Sequence, residues 1–165
     1  MAATSPLDYA IQLEQDGQRF YAEAAAGTTC VLGKKMFESL AADERRHEEI
    51  LRGVATSMHV SVAGDMPKVR LVTLFGELGE QMKAELGADP DDTKVIEKAV
   101  EMELASVELY AGRAAAASAE VNKALYARLA DEERQHVDIL RNTLMYLNDT
   151  GHWFLWDEQA MLDGG

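Results

Sequence analysis

Glu44 and His47 stand three residues apart in the run DERRH, and Glu133 and His136 repeat that spacing in DEERQH. Three residues is a little under one helical turn, so on a helix the side chains of each pair share a face and can reach one point. A carboxylate and an imidazole converging there are ligands for a divalent ion. Mixed oxygen and nitrogen donors suit iron, manganese or zinc and suit calcium poorly. Apolar periodicity puts both pairs on core-facing stripes, Phe37, Leu40, Glu44, His47, Leu51, Val54 and Tyr126, Leu129, Glu133, His136, Leu140, Thr143, with the spacing of three and four that marks the buried face of a helix. Two more stripes, Leu7, Ile11, Glu14, Gln18, Tyr21, Ala25 and Ile96, Val100, Glu103, Val107, Tyr110, Ala114, each carry one carboxylate at mid-length. The other charges around the first pair, Asp43, Arg45, Arg46, Glu48 and Glu49, fall off the stripe and are expected in solvent. Four ionised carboxylates in one core would each carry a desolvation penalty and would repel one another, and only the two histidines on these stripes could neutralise them. Bound cations resolve that conflict. A lone Glu-x-x-His is ordinarily a solvated face; six such residues on apolar stripes read as one metal site.

The elements that hold these residues follow from the same pattern. Sliding the sequence on itself by 89 residues aligns 7–52 with 96–141 and matches 15 of 46 positions, among them Glu14/Glu103, Tyr21/Tyr110, Leu40/Leu129, Glu44/Glu133, His47/His136 and Leu51/Leu140. One offset without a gap serves both helices of each half, so the chain reads as two helical hairpins of common design. Ser5-Pro6 opens a helix to about Ala26, since proline at a first helical position forfeits only an N–H that would be unpaired there. After a Gly-Thr-Thr-Cys break, a second helix runs from about Val31 to Ser57. Asp89-Pro90-Asp91-Asp92 opens a third, to about Ala117, with its acids at the positive end of the helix dipole. A fourth runs from about Glu120 to Leu147, stopped by Asn148-Asp149-Thr150-Gly151. Between the hairpins, residues 58–67 read as a loop and 69–86 as a shorter or broken helix weakened by Gly76 and Gly79; Pro67 sits at its start. Strand signals are nearly absent. The expected fold is all-α, a four-helix bundle of two repeated antiparallel helix pairs with a long crossover over about 58–91. It forms one domain over residues 1–151, followed by an aromatic tail, 152–165.

Composition narrows the class. The chain has 165 residues, 29 acidic against 16 basic, and a formal net charge of −13. That acidic balance argues against nucleic-acid binding, which needs a basic face, and against anionic membrane surfaces. No apolar run approaches the roughly 20 residues that span a bilayer. The opening MAATSPLDYA lacks a basic region followed by an apolar one, so no secretory signal is expected. The single Cys30 can form neither an internal disulfide nor a Cys-x-x-Cys motif, which points to a reducing, cytoplasmic setting.

The runs LEQDGQRFY and MELASVELY, with DERRH and DEERQH, resemble the ferritin-like di-iron superfamily and specifically the di-iron domain of rubrerythrins, over about residues 6–147. The resemblance implies the ligand set of a di-iron carboxylate bundle. Glu44 and Glu133 would bridge two metals, Glu14 and His47 would complete one ion, and Glu103 and His136 the other. It implies two iron ions as cofactor, with manganese or zinc as substitutes, and an oxidoreductase that reacts with hydrogen peroxide or dioxygen and protects against peroxide. Two departures stand out. Rubrerythrins proper carry a four-cysteine rubredoxin module, so this chain would need an external electron donor such as a rubredoxin-type protein. Many also place an extra carboxylate one turn from the third-helix ligand, where this sequence has Val100 and Ser106. The alternatives are a ferritin-like iron-oxidising or storage protein and, behind it, a zinc-stabilised structural bundle.

The remaining residues have plainer readings. Tyr21 and Tyr110 follow Glu14 and Glu103 by seven positions on the same faces; packing with a hydroxyl partner is the default, and support of the ligands or radical quenching the alternative. His59 and His152 are expected in solvent, and the methionines as core filler. Cys30 has no activating base nearby. Trp153, Phe154 and Trp156 read as one patch folding back on the bundle, with homodimerisation through it as the alternative.

Overall fold

Helices make up nearly all of residues 6–56 and 90–148, the part of the chain that the computed structural model describes: α1 (Pro6–Gly27), α2 (Val31–Ala55), α3 (Pro90–Ala116) and α4 (Glu120–Asn148). These bounds lie within two residues of those read from the periodicity. Pro6 and Pro90 begin their helices as expected. Cys30 caps α2: its backbone is extended, and its Sγ accepts from the Gly33 N–H at 3.5 Å. At the other end of α2 the Thr56 N–H and hydroxyl both donate to the Arg52 carbonyl, satisfying a group the helix leaves orphaned. The expected loop at 58–67, the helix at 69–86, His59, His152 and the aromatic tail lie outside the described residues.

Three-residue connections leave α1 antiparallel to α2 and α3 antiparallel to α4, and each pair packs along its length. The hairpins close on each other through two apolar clusters. One joins Tyr21, Ala25, Met36, Phe37, Leu40, Ile96, Ala99, Ile139 and Leu140. The other is centred on Ala10, Ile11, Leu51, Tyr110, Leu129 and Ala130. The 89-residue offset carries residues of one cluster onto residues of the other, Leu40 onto Leu129 and Tyr21 onto Tyr110. An approximate twofold axis therefore crosses the bundle at mid-length, where the charged stripe residues lie. This is an all-α four-helix bundle; no described helix is long and apolar enough to cross a membrane.

Leu40 and Leu129 are fully buried mates, one in each apolar cluster and each one turn before a ligand glutamate. Either one changed to alanine is expected to lower the stability of the metal-free protein by about 2–5 kcal/mol, measured by urea unfolding.

The buried stripes depart from expectation where Val100, Tyr126 and Thr143 are half-buried and their neighbours Ala99, Leu125 and Asn142 are buried, and again in the middle of α1 and α3. Gln18 and Val107 are only half-buried, and Gly17 and Ser106 take the interior positions. A Cβ on Gly17 would stand 3.0 Å from Glu44 Oε2 and 3.3 Å from its carboxyl carbon, so a side chain there would press that carboxylate aside by a few tenths of an ångström. Gln18 instead donates to Glu48 Oε2 at 2.9 Å.

Candidate metal centre

Each helix brings its polar stripe residues to the middle of the bundle. Glu14 comes from α1, Glu44 and His47 from α2, Glu103 from α3, and Glu133 and His136 from α4, all buried. Their donor atoms gather in two groups, Glu14–Glu44–His47–Glu133 and Glu44–Glu103–Glu133–His136, each with its atoms within 4.8 Å of one another. Glu44 and Glu133 belong to both. All six residues singled out from the sequence thus converge.

Much of the donor set is left without hydrogen bonds. Glu14 Oε2, Glu44 Oε1, both oxygens of Glu133 and the Nδ1 atoms of His47 and His136 are buried and make none. Native interiors seldom leave such atoms unpaired, and here they face one another: His47 Nδ1 lies 2.9 Å from Glu133 Oε1 and 3.4 Å from Glu14 Oε2, and His136 Nδ1 lies 3.0 Å from Glu133 Oε2. Orphaned oxygens and nitrogens converging in pairs of shells are what a pair of cations would satisfy, so the residues fit a two-metal group.

The far side of each imidazole is committed. His47 Nε2 lies 3.2 Å from Glu132 Oε2, and His136 Nε2 lies 3.3 Å from Asp43 Oδ2, each across to the other hairpin. An ionised carboxylate can only accept, so Nε2 carries a proton, and with a metal bound the ring would present its Nδ1 lone pair to the centre. Asp43 is therefore buried, not solvated as its off-stripe position suggested. Arg46, also expected in solvent, is half-buried and donates to both Asp43 and Glu132, tying the two carboxylates together. Glu48 is half-buried too, accepting from Gln15, Gln18 and Arg52, whereas Arg45 and Glu49 are exposed as expected. The tyrosines also cross between hairpins: the Tyr21 hydroxyl donates to Glu103 Oε1 and the Tyr110 hydroxyl to Glu14 Oε1.

Without metal, the electrostatics settle by moving protons. Burial alone would lower the histidine pKa values, but the charge of Glu133 beside His47, and of Glu103 beside His136, raises both well above the ordinary imidazole range. Burial, then repulsion from Glu133 and Glu103, pushes Glu44 up, so it holds a proton. Burial and Glu133 push Glu103 up to about 7 against the pull of His136. Glu133 goes the other way: burial opposes its charge, but the two imidazoles outweigh it and hold it low. Glu132 resists burial through its bonds from His47, Arg46 and Arg128 and titrates at about 2.

Sequence reasoning passed over Glu132 altogether. The signal was there, because Asp43 and Glu132 are mates under the 89-residue offset and each precedes a stripe glutamate. Glu132→Gln removes the charge that orients His47 and is expected to weaken metal affinity about 10–100-fold, measured by competitive metal titration.

A family model for rubrerythrin matches residues 6–144, from the start of α1 into the last turns of α4. No curated protein and no solved structure matches the chain. The matched stretch covers most of the chain and all six converging residues, and the chain belongs to the rubrerythrin family.

Proposed function

We propose that this protein is a non-haem di-iron oxidoreductase that reduces hydrogen peroxide, or dioxygen, with electrons from an external donor of the rubredoxin type. The observation that carries this reading is the sharing of Glu44 and Glu133 between two otherwise separate ligand groups, the arrangement expected of carboxylates that hold two ions side by side. Glu14 and His47 would complete one ion, Glu103 and His136 the other. When bound, two ferrous ions supply the two electrons that an O–O bond needs. The chain's own residues fix where this occurs. Glu132 and Asp43 hold the imidazoles in the tautomer that presents Nδ1, and the Tyr21 and Tyr110 hydroxyls restrain the two terminal carboxylates. A narrow cleft lined by Gly17, Tyr21, Glu44, Glu103 and Ser106 lies between α1 and α3, and its size suits an oxidant of two heavy atoms rather than an organic substrate. Ser106 puts a hydroxyl where a further carboxylate would otherwise reach the centre. Peroxide defence in the cytoplasm is the role that fits this chemistry.

Anaerobic loading with ferrous iron followed by rapid mixing with peroxide and, separately, dioxygen tests the reading. Two irons per chain and faster oxidation by peroxide are expected. Fewer than two irons, or a loaded protein inert to both oxidants, would overturn it, and faster oxidation by dioxygen would favour iron oxidation as the activity.

A further inference from the structure

The outer faces of the two hairpins differ where the 89-residue offset would make them alike. On the α3–α4 hairpin Arg134 pairs with Asp131. Their mates on the α1–α2 hairpin are Arg45 and Ala42, and Arg45 makes no ion pair among the described residues. With alanine in place of the acid, a groove of about 550 Å³ lies between α1 and α2, lined by Ala22, Ala25, Ala26, Ala41 and Ala42. Lys34, Glu38 and Arg45 stand along it, a net positive charge on a chain whose formal charge is −13. Lys34, like Arg45, makes no ion pair among the described residues. The groove also lies near the point where α4 ends. Thr143 Oγ1 is 3.3 Å from Met36 Sδ, and Leu144 packs against the apolar cluster to which Ala25 belongs. The last turn of α4 is therefore beside the first turns of α2, where Lys34 stands.

We propose that the aromatic tail, residues 152–165, docks along the outer α1–α2 groove of its own chain, with its indole rings over the alanines and its acids towards Lys34 and Arg45. Trp153, Phe154, Leu155 and Trp156 are consecutive, and Asp157 and Glu158 follow them; beyond Asn148 the sequence has four acids and no lysine or arginine. A floor of methyl groups admits large rings without a long side chain standing in the way, and each such ring has about 150–250 Å² to bury. The cationic side chains of Lys34 and Arg45 can lie over an indole face as well as pair with a carboxylate. Reach is sufficient. At about 3.3 Å per extended residue Trp153 can stand roughly 16 Å from Asn148, more than the width of about 10 Å of the one helix to be rounded. The crossover, residues 57–89, suits the groove less, because it carries Lys68, Arg70 and Lys83 among its acids and Phe75 as its one aromatic ring. Since the tail continues α4, its docking straps the α3–α4 hairpin to the α1–α2 hairpin from outside, without touching the buried centre.

Both tryptophans of the chain, Trp153 and Trp156, lie in this segment, so indole emission reads the tail and nothing else. In the full-length chain the emission should be blue-shifted, and its quenching by acrylamide several-fold weaker, relative to the same chain unfolded in urea. Ala26 and Ala42 are exposed, so Ala26→Glu and Ala42→Glu fill the groove and reverse its charge without disturbing the core. Each should shift the emission to the red and raise quenching towards the unfolded value while far-ultraviolet circular dichroism stays the same. Arg45→Glu should do likewise and Arg45→Lys should keep the wild-type emission. Ala115→Glu, at the mate of Ala26 on the α3–α4 hairpin, should change neither reading. The proposal is overturned by a wild-type emission equal to that of the unfolded chain, by groove variants that leave it unmoved, or by an equal response to Ala115→Glu. It is overturned too by a blue shift that disappears on dilution as light scattering reports a dimer becoming a monomer, which would put the tail on a second copy.

Discussion

Glu133→Gln is expected to abolish binding of both metal ions and to destabilise the metal-free chain by about 3–5 kcal/mol, the loss seen when one partner of a buried ion pair is removed. Glu44→Gln, at the mirror position, is expected to abolish the same binding and to change metal-free stability by no more than about 1 kcal/mol, the worth of one hydrogen bond. Both residues belong to both ligand groups, so either change strikes both ions. Their metal-free roles differ. The two oxygens of Glu133 lie 2.9 Å from His47 Nδ1 and 3.0 Å from His136 Nδ1, and it stays ionised as the counter-charge to both rings. Glu44 approaches only His136, at 3.4 Å, and burial keeps it protonated. A neutral amide is a close stand-in for a neutral acid and a poor one for an anion between two cations. Metal analysis with urea unfolding in chelator reads both effects. Equal losses of stability in the two variants would show that the charge is shared evenly between the mates.

How much of this centre the sequence displayed depends on how far each residue lies from its helix's apolar stripe. Glu14, Glu44, His47, Glu103, Glu133 and His136 sit on the stripe, and the repeat fixes their register twice over. Asp43 and Glu132 precede a stripe residue and point about 100° away from it around a helix of 3.6 residues per turn. On an isolated hairpin that direction is solvent. It becomes interior only because the other hairpin closes over it, which is tertiary information. Arg46 follows them inward because two buried carboxylates need its charge. Gly17 was missed for a different reason: Gln18 fits the three-and-four spacing equally well, and only the closeness of the α1 backbone to the Glu44 carboxylate, a tertiary contact, favours glycine at position 17. The helix ends were easier, because proline starts and short polar breaks act within a turn or two. The tyrosine hydroxyls could be assigned a partner in kind but not in identity, since each reaches a glutamate of the opposite half.

Rising pH is expected to weaken the metal-free protein and to strengthen the metal-loaded one. Glu44 and Glu103 have folded pKa values above the ordinary 4.5, and Glu103 reaches about 7. Above pH 4.5 the unfolded chain ionises these groups while the folded chain keeps their protons, so the stability they contribute below 4.5 is lost as pH climbs towards their folded values. His47 and His136 act in the same sense from higher up: their contribution is complete below the ordinary 6.5 and disappears as pH rises through their raised folded values. Glu132 and Glu133 oppose this only in acid, where their contribution, present above 4.5, falls away as pH drops towards the folded value of about 2 for Glu132. Metal binding reverses the upper trend, because Nδ1 of both histidines and the carboxylates must shed those protons before they can act as ligands. Affinity then grows with pH, and with it the stabilisation of the folded state, about 2.7 kcal/mol at a metal concentration one hundred times Kd. Between roughly pH 5 and pH 8 the Tm of the chelated protein should fall while that of the loaded protein rises. A gap between the two curves that stays constant over that range would mean that the centre's protons do not exchange for metal, and the ligand assignment would fail with it.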